Sequence, residues 1–295
     1  KLRRYFDLQN FLDLFNVLIA IFQCFFILLR ARPSILFSKG GYVALPPVIA
    51  AWVFRIPIVI HESDMTPGLT TKISKYFAHR VCVSFESALK FFNPSITVWT
   101  GLPVRNTVFN ANRKKGLLLT SFSGDRPVLL VFGGSLGAAF LNKFVRENIQ
   151  NTNLCSFDVI NICGKGQLDH QVKASNYVQI ETLGSEFLDV MQSADLVITR
   201  GGATSLFELL AMKKIHIVVP LSKKSSRGDQ IDNAKYFAEL GVSLFVEEEN
   251  CNWNSMQKLI KLSLDEQIST LHRMNTMEFS LATNKVVDVI DSVHF

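Results

Sequence analysis

Short apolar runs recur along the second half of this chain, and each run ends in glycine or polar residues. Runs of four to six apolar residues bounded by such turns are typical of strands buried in a sheet. The segments between successive runs have the spacing of apolar residues that is typical of helices. This alternation of strands and helices predicts a doubly wound parallel sheet. The predicted strands are Pro127–Phe132, Val159–Cys163, Val178–Glu181, Leu196–Thr199, Ile215–Val219 and Ser243–Val246.

The first half of the chain repeats this pattern, with strand, glycine turn, helix and strand in succession. The predicted strands there are Ser34–Ser38, Ile56–His61, Val81–Ser84 and Ile96–Thr100. The carboxy-terminal segment Asn254–His294 is predicted to form two helices and carries no motif.

The most apolar stretch is Phe11–Pro33, for which three interpretations compete. A signal peptide needs small residues at a cleavage site, and none follows. A transmembrane helix needs about 20 apolar residues, but Asp13, Asn16 and Gln23 interrupt this run. The spacing of these polar residues keeps them on one narrow helical face. We therefore expect a long helix that packs mostly on protein.

Basic and aromatic residues cluster ahead of this helix, as they do in segments that lie in a membrane interface. The cluster consists of Lys1, Arg3, Arg4, Tyr5, Phe6 and Phe11. It predicts contact with an anionic membrane surface; the alternative is a solvated start of an ordinary core helix.

Length and composition predict two domains of ordinary size, since the chain has 295 residues and 48% hydrophobic content. We expect a first domain over 1–110, a linker over the basic, Ser/Gly-bearing stretch 111–126, and a second domain over 127–295. The net charge of +6 suits an anionic substrate or a membrane surface. Without a dense basic run or aromatic–basic interleaving, a nucleic-acid partner is not expected.

The five cysteines are scattered and form no CxxC pair. Four of them lie in apolar surroundings, which indicates small core residues in a reducing compartment. Metal binding by cysteine is not expected.

Two glycine turns in the second half follow predicted strands and precede helices. The first contains Gly133, Gly134 and Gly137, with Ser135 as an added hydroxyl. The second contains Gly201 and Gly202. Glycines let the backbone approach a ligand closely, and free N–H groups at a helix start favour an anion such as a phosphate.

Glu208 lies four residues after Thr204, so both residues share one helical face. A carboxylate there could accept two hydrogen bonds from a vicinal diol such as a ribose. The alternative is that the glycines only make a tight turn and that Glu208 is a solvated helix residue.

Four further residues are candidates because they follow strands or begin a helix. His61 and Glu62 end a strand and could transfer a proton or hold a sugar hydroxyl, or they could simply cap the strand end. Arg105 follows Pro103 and offers a planar, bidentate donor. Gln230 begins a helix, where recognition of hydroxyls competes with plain capping.

Taken together, the motifs KGGY, HE, GGSxGA, RxGAxxxxE and QxxNA, in this order, resemble the MurG family, the bacterial lipid-linked N-acetylglucosaminyltransferases of peptidoglycan synthesis. The resemblance covers nearly the whole chain. It implies a GT-B fold, with two Rossmann-like domains facing across a cleft. It also implies inverting transfer of N-acetylglucosamine (GlcNAc) from UDP-GlcNAc to an undecaprenyl-pyrophosphoryl muramoyl-pentapeptide, that is, lipid I to lipid II.

The resemblance also implies roles for individual residues, without a metal or other cofactor. Ser135 would contact the UDP phosphates, Glu208 the ribose, and the backbone at Leu188 the uracil. Gln230 would bind GlcNAc hydroxyls, and Arg105 would stand at the edge of the donor site. The nucleotide loop would comprise Ala203, Thr204, Ser205, Leu206 and Phe207.

This sequence departs from the family pattern in two places. The family opens with a strand and a glycine-rich loop ending in histidine, and nothing here corresponds to it. We therefore expect a first domain that is incomplete at its amino end, a damaged acceptor site, and His61 with Glu62 as the remaining catalytic candidates. The resemblance would also place Asp64 among the residues that bind the sugar of UDP-GlcNAc, at a position where many members carry asparagine.

The resemblance and the basic amino end together predict a peripheral protein on the cytoplasmic side of a bacterial cell membrane. Three alternatives remain open. One is another membrane-associated GT-B glycolipid transferase, and a second is a nucleotide-sugar-binding remnant or subunit without turnover. The third is a transmembrane-anchored scaffold, which would require Phe11–Leu29 to span the bilayer.

Overall fold

The computed structural model describes residues 8–133, 139–149, 154–223, 228–277 and 282–293, with side chains described from residue 16 onward. The chain divides into two compact units. The first comprises Lys1–Pro103 together with Ser280–Phe295, and the second comprises Val104–Phe279.

Each of the ten predicted strands is present, and their ends differ from the prediction by at most two residues. The strands are β1 (Leu36–Ser38), β2 (Ile58–Glu62), β3 (Arg80–Val83), β4 (Thr97–Trp99), β5 (Val128–Phe132), β6 (Asp158–Ile162), β7 (Tyr177–Ile180), β8 (Leu196–Thr199), β9 (Ile215–Val218) and β10 (Leu244–Phe245). The α-helices are α1 (Leu8–Ala31), α2 (Leu45–Val53), α3 (Leu69–Ser74), α4 (Arg113–Thr120), α5 (Ala139–Asn148), α6 (Phe187–Ser193), α7 (Ala203–Ala211), α8 (Asp229–Glu239), α9 (Trp253–Asp265), α10 (Gln267–Asn275) and α11 (Ala282–Asp291).

The first unit contains a parallel sheet in the order β1-β2-β3-β4. Every residue of β2 is buried, as expected for a strand covered on both faces. Glu62 pairs in register with Val83, so β2 and β3 end at the same level.

The second unit contains a six-stranded parallel sheet in the order β10-β9-β8-β5-β6-β7. The direction of winding reverses between β5 and β8, which makes this pair the topological switch point of the sheet. Phe132 pairs with Thr199 in register. The two glycine turns therefore leave neighbouring strands at one edge of the sheet.

Alternate residues of β5 enter separate apolar clusters, because successive side chains of a strand point to opposite faces. Leu129 and Val131 join one cluster, which includes Ile217 and Met256. The other strand face joins a cluster with residues of α6 and α7. Burying side chains of this size stabilises by about 1.5–3 kcal/mol each, so β5 is central to the stability of this unit.

Helix α4 occupies much of the stretch predicted to be the linker 111–126. Asn112 caps this helix by accepting hydrogen bonds from the amides of Lys114 and Lys115. Arg113 pairs with both carboxylate oxygens of Asp195, at 2.9 and 3.0 Å. Gly116 lies so close to α6 that an added Cβ would be 2.1 Å from the Asp189 carbonyl oxygen. This stretch is therefore packed structure within the second unit.

The carboxy-terminal segment also differs from the prediction, since its described residues form three helices, α9, α10 and α11, instead of two. Helix α11 lies with the first unit, whereas the predicted boundary placed all of 127–295 in the second. Its Val286 and Val289 join an apolar cluster with Val59 and Cys82. The end of the chain thus helps to cover the first sheet.

Helix α1 buries less of its surface than its sequence predicts. Among its described side chains, Leu28 is the one that is fully buried, while Phe25 contacts Phe54 with ring centroids 5.5 Å apart. Its large exposed apolar residues are Leu18, Ile19, Phe22, Phe26, Ile27 and Leu29. Over the described side chains of α1, the expectation of a helix packed mostly on protein is therefore wrong.

No helix in the described part of the chain is long and apolar enough to cross a membrane. Lys1, Arg3, Arg4, Tyr5 and Phe6 lie outside the described residues, as does the side chain of Phe11.

Candidate functional site

The candidate site in the second unit lies where β5 and β8 end at the topological switch point. Open parallel sheets bind ligands beyond the carboxyl ends of strands at such points. Gly202 caps the amino end of α7 in an extended conformation, so the first amides of that helix face this region. In the other turn Gly133 is described, whereas Gly134, Ser135 and Gly137 lie outside the described residues.

Gly201 is required because α8 packs directly against the second turn. A Cβ at this position would be 2.4 Å from the Gln230 carbonyl oxygen. The buried Asn233 side chain donates a hydrogen bond to the Gly201 carbonyl oxygen at 3.0 Å. From sequence, Asn233 of the QxxNA motif was expected at most to cap the helix. Only the packing of α8 shows that it fixes the turn.

The predicted nucleotide loop presents few side chains outward. Thr204 is exposed and Ser205 half-buried, while Ala203, Leu206 and Phe207 are buried. Phe207 contacts Phe237 edge to face, with ring centroids 5.3 Å apart. Most of this loop can therefore meet a ligand only through its backbone.

Glu208 is not a solvated helix residue, because its relative exposure is only 4%. Arg105 pairs with it through two hydrogen bonds, Nε to Oε1 at 2.7 Å and Nη2 to Oε2 at 3.2 Å. The hydrogen bond to Glu208 raises the pKa of the Arg105 guanidinium. The structure thus brings together two predicted residues that are 103 positions apart in sequence.

Gln230 lies beside this region, and its side-chain oxygen accepts a hydrogen bond from the Leu221 amide at 3.0 Å. The side-chain nitrogen of Gln230 is then the group suited to contact a sugar.

Leu188 is buried in the core, so its side chain contributes packing, and a base could meet only its backbone. Phe132 and Phe187 contact edge to face at 5.2 Å, which joins the end of β5 to the start of α6.

Arg200, which sequence reasoning left out of the site, follows β8 and is 5% exposed. It forms an ion pair with Glu248, donates to the Val219 carbonyl oxygen at 3.0 Å and lies over the Phe140 ring. These contacts tie the ends of β8 and β9 to the start of α5. The signal available in sequence was the arginine that opens the RxGA motif.

In the first unit, His61 and Glu62 have contacts that hold the loop after β2. His61 is buried, and its Nε2 lies 3.1 Å from the Gly101 carbonyl oxygen. Glu62 accepts hydrogen bonds from the amides of Asp64 at 3.0 Å and Gly68 at 3.3 Å. Burial lowers the pKa of His61 to about 4, which makes it a weak proton acceptor at neutral pH. Their catalytic assignment stays a prediction.

Comparisons with known protein families agree with the two α/β units and the glycine turns described above. The glycosyltransferase family 28 N-terminal domain matches residues 1–83, and the glycosyltransferase family 28 C-terminal domain matches residues 128–293. The chain has a GT-B fold. Among solved structures, a crystal structure of Acinetobacter baumannii MurG is similar, with a TM-score of 0.71 at 23% identity over 94% of this chain and 80% of that one.

A UDP-GlcNAc 2-epimerase from Neisseria meningitidis, solved with UDP-GlcNAc bound, is similar in fold, with a TM-score of 0.68 at 13% identity. It matches 99% of this chain and 84% of its own. The fold alone therefore does not separate transferases from other enzymes that bind this nucleotide sugar.

Closer relatives in sequence decide the family. The UDP-N-acetylglucosamine--N-acetylmuramyl-(pentapeptide) pyrophosphoryl-undecaprenol N-acetylglucosamine transferase of Clostridium kluyveri is 43% identical over 99% of this chain and 82% of its own length. That of Clostridium tetani is 41% identical over 100% of this chain and 82% of its own length. The class defined by fold and site is a GT-B glycosyltransferase of family 28. Within that class, the chain belongs to the MurG family of N-acetylglucosaminyltransferases.

The two adjacent glycines of the second turn provide a matched test of the packing. Gly201→Ala is expected to push α8 away and destabilise the fold by about 1–3 kcal/mol, because the new Cβ overlaps backbone. Gly202→Ala meets no atom within 4 Å and is expected to cost less than about 1 kcal/mol. Urea unfolding measures both variants; equal losses would contradict the role given to Gly201.

The buried His61 predicts a pH-dependent stability. Its folded pKa of about 4 lies below the ordinary 6.5, so the unfolded chain binds the proton first as pH falls. Stability is then full above about pH 6.5 and decreases towards pH 4, by about 2 kcal/mol at pH 5. Urea unfolding of His61→Gln should show a weaker decrease, although His216, whose pKa burial also lowers to about 4, retains its own share. The exposed His170→Gln should follow the unsubstituted protein; an unchanged pH profile in His61→Gln would contradict the prediction.

Proposed function

We propose that this chain transfers GlcNAc from UDP-GlcNAc to a lipid-linked muramoyl-pentapeptide, converting lipid I to lipid II. The observation that carries this proposal is the buried Glu208 carboxylate on α7, beside the glycine turn that begins this helix at the switch point of the second sheet. The names of the curated relatives supply the donor and acceptor.

In this proposal the second unit holds the donor. Glu208 accepts hydrogen bonds from the ribose hydroxyls, and Arg105 stands beside it. The amides at the start of α7, with Thr204 and Ser205, meet the diphosphate, and the first glycine turn with Ser135 adds to this contact. The backbone near Leu188 contacts the uracil, and Gln230 contacts hydroxyls of the sugar.

The proposed chemistry is a single inverting displacement. The muramyl hydroxyl of the acceptor attacks the anomeric carbon of GlcNAc, its proton passes to a general base, and the bond to the diphosphate breaks. UDP leaves with the electron pair of that bond. Helix amides aimed at the diphosphate stabilise the negative charge that develops on it. His61 and Glu62 belong to the first unit and are proposed for the acceptor side, with His61 as the candidate base, and Asp64 is proposed to bind the sugar of UDP-GlcNAc.

Binding and turnover separate this proposal from a nucleotide-sugar-binding protein without activity. Calorimetry should show UDP-GlcNAc binding that Glu208→Ala weakens by about ten- to a hundredfold, since hydrogen bonds to a charged group contribute about 1.5–3 kcal/mol. Conversion of lipid I to lipid II in the same preparation should follow for the unsubstituted protein. Binding without conversion would support the inactive alternative. Conversion of a different glycolipid instead would show that lipid I is not the acceptor.

We further propose that the protein binds the cytoplasmic face of the membrane through its first unit. Helix α1, with its exposed apolar side chains, packs on α2, whose exposed residues include Trp52 and Val53. Arg30, Arg32 and Arg55 are exposed nearby in sequence, and basic residues beside an apolar surface favour anionic lipid. All five cysteines are free thiols, which suits a reducing compartment.

Vesicle co-sedimentation tests the membrane proposal. We expect binding to vesicles rich in phosphatidylglycerol, weaker binding to neutral vesicles, and a loss of about tenfold for the double variant Phe22→Glu/Phe26→Glu. Ile268→Glu is a matched control, because Ile268 is 85% exposed on α10 of the second unit. An equal loss in both variants, or no loss in either, would contradict the assignment of the surface to α1.

A further inference from the structure

A small cavity in the second unit lies at the edge of the sheet opposite the glycine turns. It is lined by the start of β9, where Ile215 pairs in register with Leu196, the first residue of β8. The second glycine turn follows the other end of β8, so the cavity and the candidate donor site lie at opposite ends of these strands. Residues of α8, β10, α9 and α10 complete its walls.

The size of the cavity limits its occupant to a small molecule. Its volume is about 130 Å³, and its apolar lining includes Ile215, Val242 and Leu244. An apolar cavity of about 150 Å³ holds benzene, which is a molecule of about six non-hydrogen atoms. A ligand of about that size therefore fits here, whereas a nucleotide is too large.

His216 supplies this cavity with a hydrogen-bond acceptor that lacks a partner. It is 1% exposed, and its Nδ1 lies 2.8 Å from the Lys214 carbonyl oxygen. A carbonyl oxygen only accepts, so Nδ1 carries the hydrogen and Nε2 keeps a lone pair. In the described part of the chain, Nε2 is buried without a hydrogen-bond partner. A buried acceptor of this kind costs stability until a donor meets it.

A metal ion does not suit this acceptor, because the described residues contain no cluster of three metal-ligating side chains. Burial lowers the pKa of His216 to about 4, so the ring is neutral at pH 7 and Nε2 stays an acceptor. The cavity therefore favours a ligand with hydrogen-bond donors of its own.

The start of α10 brings opposite charges to the same cavity. Glu266, Thr270 and Arg273 all line it, and their spacing of four and three residues places them on one helical face. Arg273 donates from Nε to the Gly241 carbonyl oxygen at 2.7 Å, which holds the guanidinium and leaves further N–H groups for a ligand. Among the described ion pairs, none joins Glu266 to Arg273. Both charges are thus available to one small ligand.

We propose that this cavity binds a small α-amino acid such as alanine, with the carboxylate on Arg273 and the ammonium on Glu266 and His216. A guanidinium pairs with a carboxylate through two parallel hydrogen bonds, and an ammonium has three donors for the two acceptors. Alanine has about six non-hydrogen atoms, and its methyl group suits the apolar walls. Because the cavity is remote from the glycine turns, the site does not depend on the proposed function.

Calorimetry with each enantiomer of alanine tests this site. We expect one enantiomer to bind with a dissociation constant on the order of 1 mM. Propionate lacks the ammonium and ethylamine lacks the carboxylate, so each should bind at least about tenfold more weakly. Leucine should also bind at least about tenfold more weakly, because its side chain overfills the cavity.

Variants of the lining residues test the assigned contacts. Arg273→Gln and Glu266→Gln should each weaken alanine binding by about tenfold or more, and His216→Leu by about fivefold. Thermal unfolding shows whether each variant keeps the fold; Arg273→Lys, which keeps the charge, should bind between Arg273→Gln and the unsubstituted protein.

Lys143→Gln and Glu147→Gln are the matched controls, since these residues form an exposed ion pair on α5 and do not line the cavity. Both should bind alanine as the unsubstituted protein does.

Other outcomes would overturn the inference. No heat of binding from either enantiomer at about twenty times the expected dissociation constant would leave a cavity for water alone. Equal affinity for propionate and alanine would make it an anion site without amino-acid selectivity. Competition between alanine and added UDP, or undiminished binding in Arg273→Gln and Glu266→Gln, would place the amino acid elsewhere. Binding that UDP leaves unchanged supports the site whether or not the proposed function holds.

Discussion

The in-register pairing of β5 with β8 is the constraint on which the candidate donor site depends. Phe132 and Thr199 are partners at the ends of these strands, so both glycine turns begin at one level of the sheet. Parallel strands of this kind are stable only when both faces are covered, and residues of β5 enter apolar clusters on both sides. The position of the turns is therefore set by the core of the second unit, which holds them at the switch point where ligands bind.

The close packing of α8 against the second turn, together with charged side chains buried nearby, then determines how these turns can bind a ligand. Gly201 lets α8 come within contact of the turn, and Asn233 holds the two together. Arg105 and Arg200 each place a guanidinium against a carboxylate, Glu208 in one case and Glu248 in the other. Removing one member of such a pair leaves an uncompensated charge, so these contacts constrain the geometry more than they add stability.

In the first unit, one helix helps to cover the sheet, whereas another leaves apolar side chains exposed. Its sheet is covered in part by α11, which returns from the end of the chain and contributes Val286 and Val289 to the core. Helix α1, by contrast, leaves a broad apolar face exposed. A surface of that kind marks a place where protein or lipid is bound, which is the basis of the membrane proposal.

Sequence alone determined the parallel α/β class, all ten strands and the family, because buried parallel strands are short continuous apolar runs and the glycine turns follow them directly. It also marked Glu208, Arg105 and Gln230. Tertiary structure decided their surroundings: the burial of Glu208, its pairing with Arg105 across 103 residues, and the weak basicity of His61 all depend on packing between distant segments. The helix in the expected linker and the return of α11 to the first unit were missed for the same reason. A local pattern of apolar and polar residues predicts an element, but it does not say which other element that face will meet.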